Sequence, residues 1–295
     1  MQADKQAIIS FGLAGNFANH LEQAGEAKDF ANIVCDDANA PKGVFPFYVP
    51  NSATLGRDCF NDKAIILPQD STKRIQAEPE VALECEIIYE DIDSSVQRLV
   101  KAVVPKFFMA CNDASVRNDC YATKISQKKN FSLGSKGLGT KISIDTFTKS
   151  GICQRYSIAS FISHKGTEFV PYGECSALHS YSYFYSKLTE WIACKLNTQK
   201  DFGVLEDLPQ ILVQAGYPRQ ALISIGATRY MPRYEQYFLQ VGDELAIVVF
   251  DHTRFSATQV RELVESIAKT RRDGAPQSCV DGISALYQIV QAHNA

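Results

Sequence analysis

Residues 80–87 read Glu-Val-Ala-Leu-Glu-Cys-Glu-Ile, and this alternation of apolar and polar side chains predicts a β-strand. Successive side chains of a strand point to opposite faces, so Glu84 and Glu86 share one face. Two neighbouring carboxylates in an otherwise apolar strand repel each other, and burial would force them to be protonated or to share a cation. The doublet is therefore either a solvent-facing surface or part of a metal site.

A third carboxylate favours the metal site. Residues 107–111 form an apolar run that ends at Asp113, and Arg117 follows four residues later. Three carboxylates with water completing the coordination shell suit Mg²⁺, Mn²⁺ or Ca²⁺ rather than zinc. We therefore predict that Glu84, Glu86 and Asp113 converge on one divalent cation, provided that the two strands are neighbours.

The rest of the chain indicates an α+β fold that is mostly β. One long helix is expected over residues 180–196, where the apolar side chains fall on one face. The remaining apolar segments are short and strand-like; those that read most clearly as strands cover residues 7–13, 81–89, 102–111, 157–162, 221–225 and 244–250.

Two amphipathic helices are predicted at the C-terminus. Ser256 and Gln259 have the spacing of a capping box, and residues 260–267 then carry apolar side chains at helical intervals. Residues 283–290 repeat that spacing after a break. We predict a small N-terminal lobe (residues 1–60), a core (61–255) and a C-terminal helical extension (256–295).

Composition narrows the class of protein. The 295 residues include 30 Lys and Arg against 33 Asp and Glu, so the formal charge is −3 and gives no reason to expect nucleic acid or an anionic membrane as a partner. The longest apolar run, residues 245–250, is far shorter than the roughly 20 residues of a membrane span. Nine scattered cysteines predict reduced, mostly buried thiols and a cytoplasmic location.

Six short motifs then occur in an order that resembles the fumarylacetoacetate hydrolase superfamily over about residues 8–251. The superfamily reads N-Y-x-x-H, E-x-E, D-x-x-x-R, G-K, G-T-P and L-x-x-G-D. The matching segments here are Asn16-Phe17-Ala18-Asn19-His20, Glu84-Cys85-Glu86, Asn112-Asp113-Ala114-Ser115-Val116-Arg117, Gly134-Ser135-Lys136, Gly226-Ala227-Thr228 and Phe238-Leu239-Gln240-Val241-Gly242-Asp243-Glu244.

The resemblance implies a rolled, mixed β-sheet core, a homodimer, and a small 2-oxo acid or 1,3-dicarbonyl acid as substrate. It implies Mg²⁺, or Mn²⁺ or Ca²⁺, held by Glu84, Glu86 and Asp113. A chelated metal stabilises an enolate, and an ammonium adds to that stabilisation. The implied catalytic residues are His20 and Lys136, and the implied substrate-binding residues are Asn16, Arg117, Gly226 and Thr228. Without the resemblance, Lys136 would read as a surface lysine. Lys124, Lys128 and Lys129 are expected to lie in a solvated loop.

The chain departs from the family where water is activated. The family's hydrolases pair the histidine with a Glu three residues later, whereas this chain has Gln23, which cannot act as a base. Glu22 or Glu26 could substitute only after a rearrangement of the loop, and Glu22 is kept as a catalytic candidate. Val49 and Asn118 replace two further charged family residues.

The expected function is therefore that of a metal-dependent enzyme, with C–C bond hydrolysis as the family default. An oxaloacetate-type decarboxylase or a tautomerase is the alternative, because Gln23 weakens water activation and Gln23→Glu should restore it. A non-catalytic metal- or metabolite-binding protein is the third possibility. The surroundings of His20 discriminate among them, since a carboxylate partner favours hydrolysis and an occluded site favours the non-catalytic protein.

Overall fold

The computed structural model describes residues 8–33, 35, 37–55, 59–92, 97–272 and 280–293. Within these ranges the α-helices are α1 His20–Gln23, α2 Ile125–Lys129, α3 Tyr185–Thr198, α4 Leu208–Gln214 and α5 Ala257–Arg272. The strands are β1 Ile8–Ala14, β2 Gly43–Tyr48, β3 Ala64–Ile66, β4 Ile75–Gln76, β5 Pro79–Asp91, β6 Arg98–Asp113, β7 Ser115–Val116, β8 Lys136–Leu138, β9 Ile142–Ser143, β10 Tyr156–His164, β11 Val170–Ala177, β12 Gln220–Ser224, β13 Asp243–Asp251 and β14 Ile283–Gln291.

Two mixed sheets dominate the fold, as the sequence predicts. The first has the order β2-β1-β12-β5-β6-β8, with β9 also paired to β6, and the second has the order β11-β10-β13-β14-β3. Only two of these pairings, β1 with β12 and β14 with β3, are parallel among the described residues. The main apolar core takes side chains from both sheets and from α3.

The long antiparallel pair of β5 and β6 positions the candidate site. Pro79 in β5 pairs with Asn112 in β6, and Glu84 pairs with Phe107, so the start of β5 lies beside the end of β6. One face of β5 contributes Leu83 to the main core. The other face contributes to a second apolar cluster, which β2 covers.

The first predicted C-terminal helix is confirmed as α5. Its capping box is formed, because Gln259 donates its backbone N–H to Ser256 Oγ, and Ser256 donates its backbone N–H to Gln259 Oε1. The apolar face of α5, which includes Val260 and Val264, packs against the second sheet.

The second predicted C-terminal helix is wrong: residues 283–290 lie in β14. This strand runs between β13 and β3 and is covered on both faces, so apolar residues occupy six of its nine positions. Leu286 faces the main core, while Tyr287 faces the layer formed with α5. A strand that is buried on both faces contains apolar residues at helical spacing by coincidence, so the spacing alone does not distinguish this strand from a helix.

Each of the two sheets pairs strands from both sides of a predicted domain boundary, near residue 60 or near residue 255. The pairing of β1 with β12 places residues 8–14 in the same sheet as the core strands, and β14 is paired with β13 in the same way. Eight cysteines lie in described segments, and all eight are free thiols; Cys59, Cys85, Cys111 and Cys153 are buried, while Cys279 falls outside the described residues. No helix among the described residues is both long and apolar enough to cross a membrane.

Candidate active site

A buried group of charged side chains lies where the start of β5, the end of β6, α2 and β8 meet. We call this group the ionic cluster. Each of its side chains is less than a tenth exposed. Its members are His20, Glu26, Glu78, Glu80, Asp113, Arg117, Lys129 and Lys136.

The acidic part of the cluster is a triad of Glu78, Glu80 and Asp113. Each residue has a carboxylate oxygen within 4.8 Å of an oxygen of the other two. Antiparallel pairing explains the convergence, because Pro79 is paired with Asn112 and the neighbouring residues therefore meet at one edge. Three carboxylates at this separation match the hard oxygen donors that Mg²⁺, Mn²⁺ and Ca²⁺ prefer, so the triad fits a divalent cation.

Two lysines reach into the same triad. Lys129 Nζ lies 2.6 Å from Glu78 Oε2 and 3.1 Å from Asp113 Oδ2. Lys136 Nζ lies 2.6 Å from Asp113 Oδ1. The rings of Phe45 and Phe47 in β2 cover these ammonium groups at 5.5 and 5.4 Å, respectively, and shield the ion pairs from water.

Arg117 connects the triad to a further carboxylate. Its Nη2 atom lies 2.8 Å from Glu78 Oε1, and its Nη1 atom lies 2.8 Å from Glu26 Oε1. A cavity of about 340 Å³ is lined in part by Glu26 and Arg117, so it reaches the ionic cluster at this ion pair. The residues that line the cavity together with this pair include Lys28, Asp29, Asn118, Asp119 and Lys128.

The pKa values within the triad are pushed apart. Burial raises the pKa of Glu80 well above its ordinary value, and repulsion from Asp113 adds to the effect. Burial acts in the same direction on Asp113, but Lys129 and Lys136 outweigh it and hold the pKa of Asp113 below its ordinary value. If Glu80 is neutral, the remaining carboxylates, Glu26, Glu78 and Asp113, balance Arg117, Lys129 and Lys136.

His20 presents a free ring nitrogen to the cluster. Its Nδ1 atom lies 3.0 Å from the carbonyl oxygen of Thr228, which can only accept, so Nδ1 carries the proton. Its Nε2 atom finds no hydrogen-bond partner among the described residues and lies 3.9 Å from Glu78 Oε2. Burial lowers the pKa of His20 to about 4, so the ring is neutral near pH 7.

The loop that follows β12 closes the site from the other side. Gly226 donates its N–H to Glu80 Oε2 at 2.9 Å and has a φ of +107°, which favours glycine. A Cβ atom there would lie only 3.1 Å from the Cβ of Asn16. Asn16 donates to the carbonyl oxygen of Ile225 at 2.8 Å, and Thr228 donates its N–H to the carbonyl oxygen of Pro79. Asn16 therefore positions the loop from outside the ionic cluster.

The predicted ligands Glu84 and Glu86 do not join Asp113, which corrects the predicted metal site. Glu84 forms an ion pair with Lys141, and Glu86, whose side chain is 46% exposed, lies 3.1 Å from Lys106. Glu84 is six residues beyond Glu78 along the strand, or about 20 Å at about 3.3 Å per residue. The face that is fully covered at Glu80 is only partly covered at Glu84.

The chain contains two E-x-E doublets, and the doublet predicted to hold the metal, Glu84-Cys85-Glu86, is not the one that lies beside Asp113. Glu78-Pro79-Glu80 stands at the start of the same strand. Because Asp113 ends β6, an antiparallel partner must meet it with its first residues, and this signal selects the upstream doublet. The prediction of a solvated loop at Lys129 is also wrong, since α2 directs this lysine inward, while the partly buried Lys128 pairs with Asp29 outside the ionic cluster.

The structure brings together six of the predicted site residues and leaves the others outside. The six residues at the site are His20, Asp113, Arg117, Lys136, Gly226 and Thr228. Glu22 is exposed and makes no such contact among the described residues, whereas Glu26 is buried against Arg117. Asn118 lies outside the cluster and bonds to the backbone of Thr72 and Arg74. Sequence reasoning missed Glu78, Glu80 and Lys129.

Comparison with solved structures places the fold. A crystal structure of Cg1458 with inhibitor is 16% identical, with a TM-score of 0.52, and the match covers 97% of this chain and 77% of that one. 5-Carboxymethyl-2-hydroxymuconate delta-isomerase from Mycobacterium smegmatis is 14% identical, with a TM-score of 0.50, and the match covers 98% of this chain and 81% of that one. Yeast ynq8, a fumarylacetoacetate hydrolase family protein, is 12% identical, with a TM-score of 0.51, and the match covers 98% of this chain and 94% of that one. These likenesses confirm the fold that the motifs predict.

Comparison of sequences identifies the family but no activity. No curated protein matches the chain. The family described as "Family of unknown function (DUF5718)" matches residues 26–290, which hold all of the ionic cluster except His20. The chain therefore belongs to the family of unknown function DUF5718, and its fold is that of the fumarylacetoacetate hydrolase family.

Proposed function

We propose that this protein is a metal-assisted enzyme that acts on a small 2-oxo acid or 1,3-dicarbonyl acid. The observation that carries the proposal is the buried triad of Glu78, Glu80 and Asp113, with oxygens within 4.8 Å of one another and cationic side chains around them. We propose Mg²⁺ as the cation that these three residues hold. Such a cation supplies Lewis-acid stabilisation of negative charge that develops next to a carbonyl group.

The chain's own cations have separate roles in this proposal. Arg117 lies at the cavity, so it is the proposed partner of the substrate carboxylate, for which its planar guanidinium is suited. Lys129 lies between Glu78 and Asp113, where its charge adds to the stabilisation of an enolate. His20 offers the lone pair of Nε2 as a proton acceptor.

The surroundings of His20 favour decarboxylation or tautomerisation over hydrolysis. A carboxylate on Nδ1 would raise the basicity of the ring, but the partner here is the carbonyl oxygen of Thr228. With a pKa of about 4, His20 is a weak base towards water. Loss of general-base assistance lowers a rate by about 10²- to 10⁴-fold. 5-Carboxymethyl-2-hydroxymuconate delta-isomerase from Mycobacterium smegmatis has the same fold.

Steady-state kinetics on two substrates tests the proposal. With Mg²⁺ or Mn²⁺ present, we expect turnover of oxaloacetate, by decarboxylation or tautomerisation, to exceed hydrolysis of an acylpyruvate, and EDTA to abolish both. Glu78→Gln should abolish turnover, while the matched variant Glu84→Gln, at a partly exposed position outside the ionic cluster, should retain it. Turnover that EDTA leaves unchanged would contradict the proposal, and faster acylpyruvate hydrolysis would contradict the preference for decarboxylation or tautomerisation.

A non-catalytic protein that binds a metal or a metabolite is the second candidate function. The observation in its favour is that the triad already has ion pairs with Lys129, Lys136 and Arg117, and that His20 is buried. This candidate predicts Mn²⁺ binding at the triad without turnover of either substrate. Binding without turnover would therefore decide between the two functions.

A further inference from the structure

The ammonium group of Lys136 is fully coordinated by oxygen. Its Nζ atom lies 2.6 Å from Asp113 Oδ1, donates to the carbonyl oxygen of Lys129 at 2.5 Å, and donates at 3.4 Å to the carbonyl oxygen of Ser135. An ammonium group has three N–H donors, and three acceptors surround it here. Because the side chain is completely buried, Lys136 is a resident cation of the cluster rather than a mobile surface charge.

The sheet fixes this lysine opposite its carboxylate. Asp113 is the last residue of β6, Lys136 is the first residue of β8, and the two are register partners in the antiparallel pair. Residues directly opposite in such a pair have side chains on the same face. The contact between Lys136 and Asp113 is therefore built into the backbone pairing that also forms the triad.

Both oxygens of Asp113 are already paired with ammonium groups. Lys136 lies at Oδ1 and Lys129 lies at Oδ2. Lys129 also lies 2.6 Å from Glu78, whereas Lys136 has no second carboxylate within ion-pair distance among the described residues. Removal of Lys136 alone would free one oxygen of Asp113 and leave the contact of Lys129 with Glu78 intact.

We propose that the Lys136 ammonium competes with a divalent cation for Asp113 and thereby sets the metal affinity of the triad. The proposal rests on the metal site of the proposed function. A metal ligand must direct a lone pair at the cation at about 2.0–2.6 Å, and the ammonium of Lys136 occupies one of the two lone pairs of Oδ1. The positive charge of Lys136 also repels an incoming cation. We therefore expect metal binding to move the ammonium away from Asp113.

Direct measurement of Mn²⁺ binding tests this competition. Loss of the competing charge in Lys136→Met should lower the Kd for Mn²⁺ by about tenfold or more. Free Mn²⁺ is measured by electron paramagnetic resonance, and circular dichroism checks that each variant is folded. Lys136→Arg keeps the charge and should not bind more tightly than the wild type. Lys141→Met removes an exposed lysine that pairs with Glu84 outside the ionic cluster, and it should leave the Kd unchanged.

An equal or weaker affinity of folded Lys136→Met would overturn the proposal. A second measurement uses the wild type, in case Lys136→Met does not fold. In crystals soaked with MnCl₂, an anomalous peak should lie among Glu78, Glu80 and Asp113, with Lys136 Nζ displaced from Oδ1. A peak at that place with the Lys136–Asp113 pair intact, or no peak there, would also overturn it.

The outcomes separate this proposal from the proposed function. Tighter Mn²⁺ binding by Lys136→Met, without turnover of oxaloacetate or an acylpyruvate by any variant, would support the competition and contradict the enzyme. Turnover that depends on metal, with no gain in affinity in folded Lys136→Met, would support the enzyme and contradict the competition.

Discussion

The side-chain amide of Gln23 donates to Glu235 Oε1 at 2.8 Å, so the residue three positions after His20 bonds to a carboxylate outside the ionic cluster. Its Oε1 atom also accepts the backbone N–H of Tyr230 at 3.0 Å. Gln23 therefore clamps the loop that carries Thr228, and this loop supplies the carbonyl partner of His20. Gln23 therefore stabilises the backbone of this loop and supplies no charge to His20.

Gln23→Glu should therefore destabilise the protein rather than restore a catalytic dyad. The new carboxylate would face Glu235 and would lose both bonds that the amide donates, at a cost of about 1–3 kcal/mol in the free energy of unfolding. Urea denaturation measures the loss. The double variant Gln23→Glu/Glu235→Gln reverses the pair and should recover part of the stability. A single variant as stable as the wild type, with increased acylpyruvate hydrolysis, would refute this expectation.

Glu78→Gln should lower stability far more than Glu84→Gln does. Loss of the Glu78 charge leaves Arg117 and Lys129 buried with fewer counter-charges, which typically costs about 3–5 kcal/mol. Glu84 pairs with the half-exposed Lys141, and such pairs contribute less than about 1 kcal/mol. Denaturant unfolding of both variants checks the contrast, and similar losses would argue against a buried ionic cluster.

His20 should make the protein less stable in mild acid. Its pKa is about 4 in the folded state and about 6.5 in the unfolded state, so between these values the unfolded chain binds a proton that the folded chain does not. Stability therefore falls as the pH drops through this window, by about 2 kcal/mol between pH 7 and pH 5. His20→Asn, which can still donate to Thr228, should lose this part of the pH dependence.

Unfolding curves of the wild type and His20→Asn at the two pH values isolate this contribution, because the other titrating groups are common to both proteins. His179→Gln, which alters an exposed histidine, is the matched control. If the wild type and His20→Asn show the same change in stability between the two pH values, His20 is not buried as a neutral ring.

Gln288→Ala should reveal that the C-terminal segment is a strand. If residues 283–290 were a helix with the predicted apolar face, Gln288 would point outward, and its replacement would be neutral. In β14 it is completely buried, accepts from the Asn112 amide at 2.9 Å and donates to the carbonyl oxygen of Asn61. We expect a loss of about 1–3 kcal/mol in urea unfolding. Gln291→Ala, at an exposed position of the same strand, should change stability by less than about 0.5 kcal/mol.

The sequence was sufficient for the fold class and for part of the site. The alternation in residues 80–87 identified β5, and the apolar run before Asp113 identified the end of β6. The register between these strands could not be predicted, because it depends on pairing across the sheet. Residue type alone does not distinguish the doublets at Glu78 and Glu84, which lie about 20 Å apart. The antiparallel order of β5 and β6 favours the upstream doublet, because the first residues of β5 meet the end of β6.

Burial of charge was the other feature that the sequence did not reveal. Lys129 and Lys136 look like ordinary loop lysines, since a lysine is seldom buried without a partner. The partner of Lys129 is Glu78, which is distant from it in sequence, and the partner of Lys136 is Asp113. Glu78 and Asp113 come together only through the pairing of β5 with β6. Burial of β14 on both faces could not be predicted either, because it depends on α5 covering one face and the main core covering the other.

The parallel pairing of β1 with β12 has a consequence for how the chain folds. Ile8 pairs with Gln220 and Gly12 pairs with Ser224, so more than 200 residues separate the two strands. Closing so long a loop is entropically costly, and contacts between distant residues slow folding. A chain emerging from the ribosome cannot complete the first sheet until β12 has been synthesised. Until then β1 retains an unpaired edge, which makes the incomplete chain a candidate for chaperone binding during synthesis.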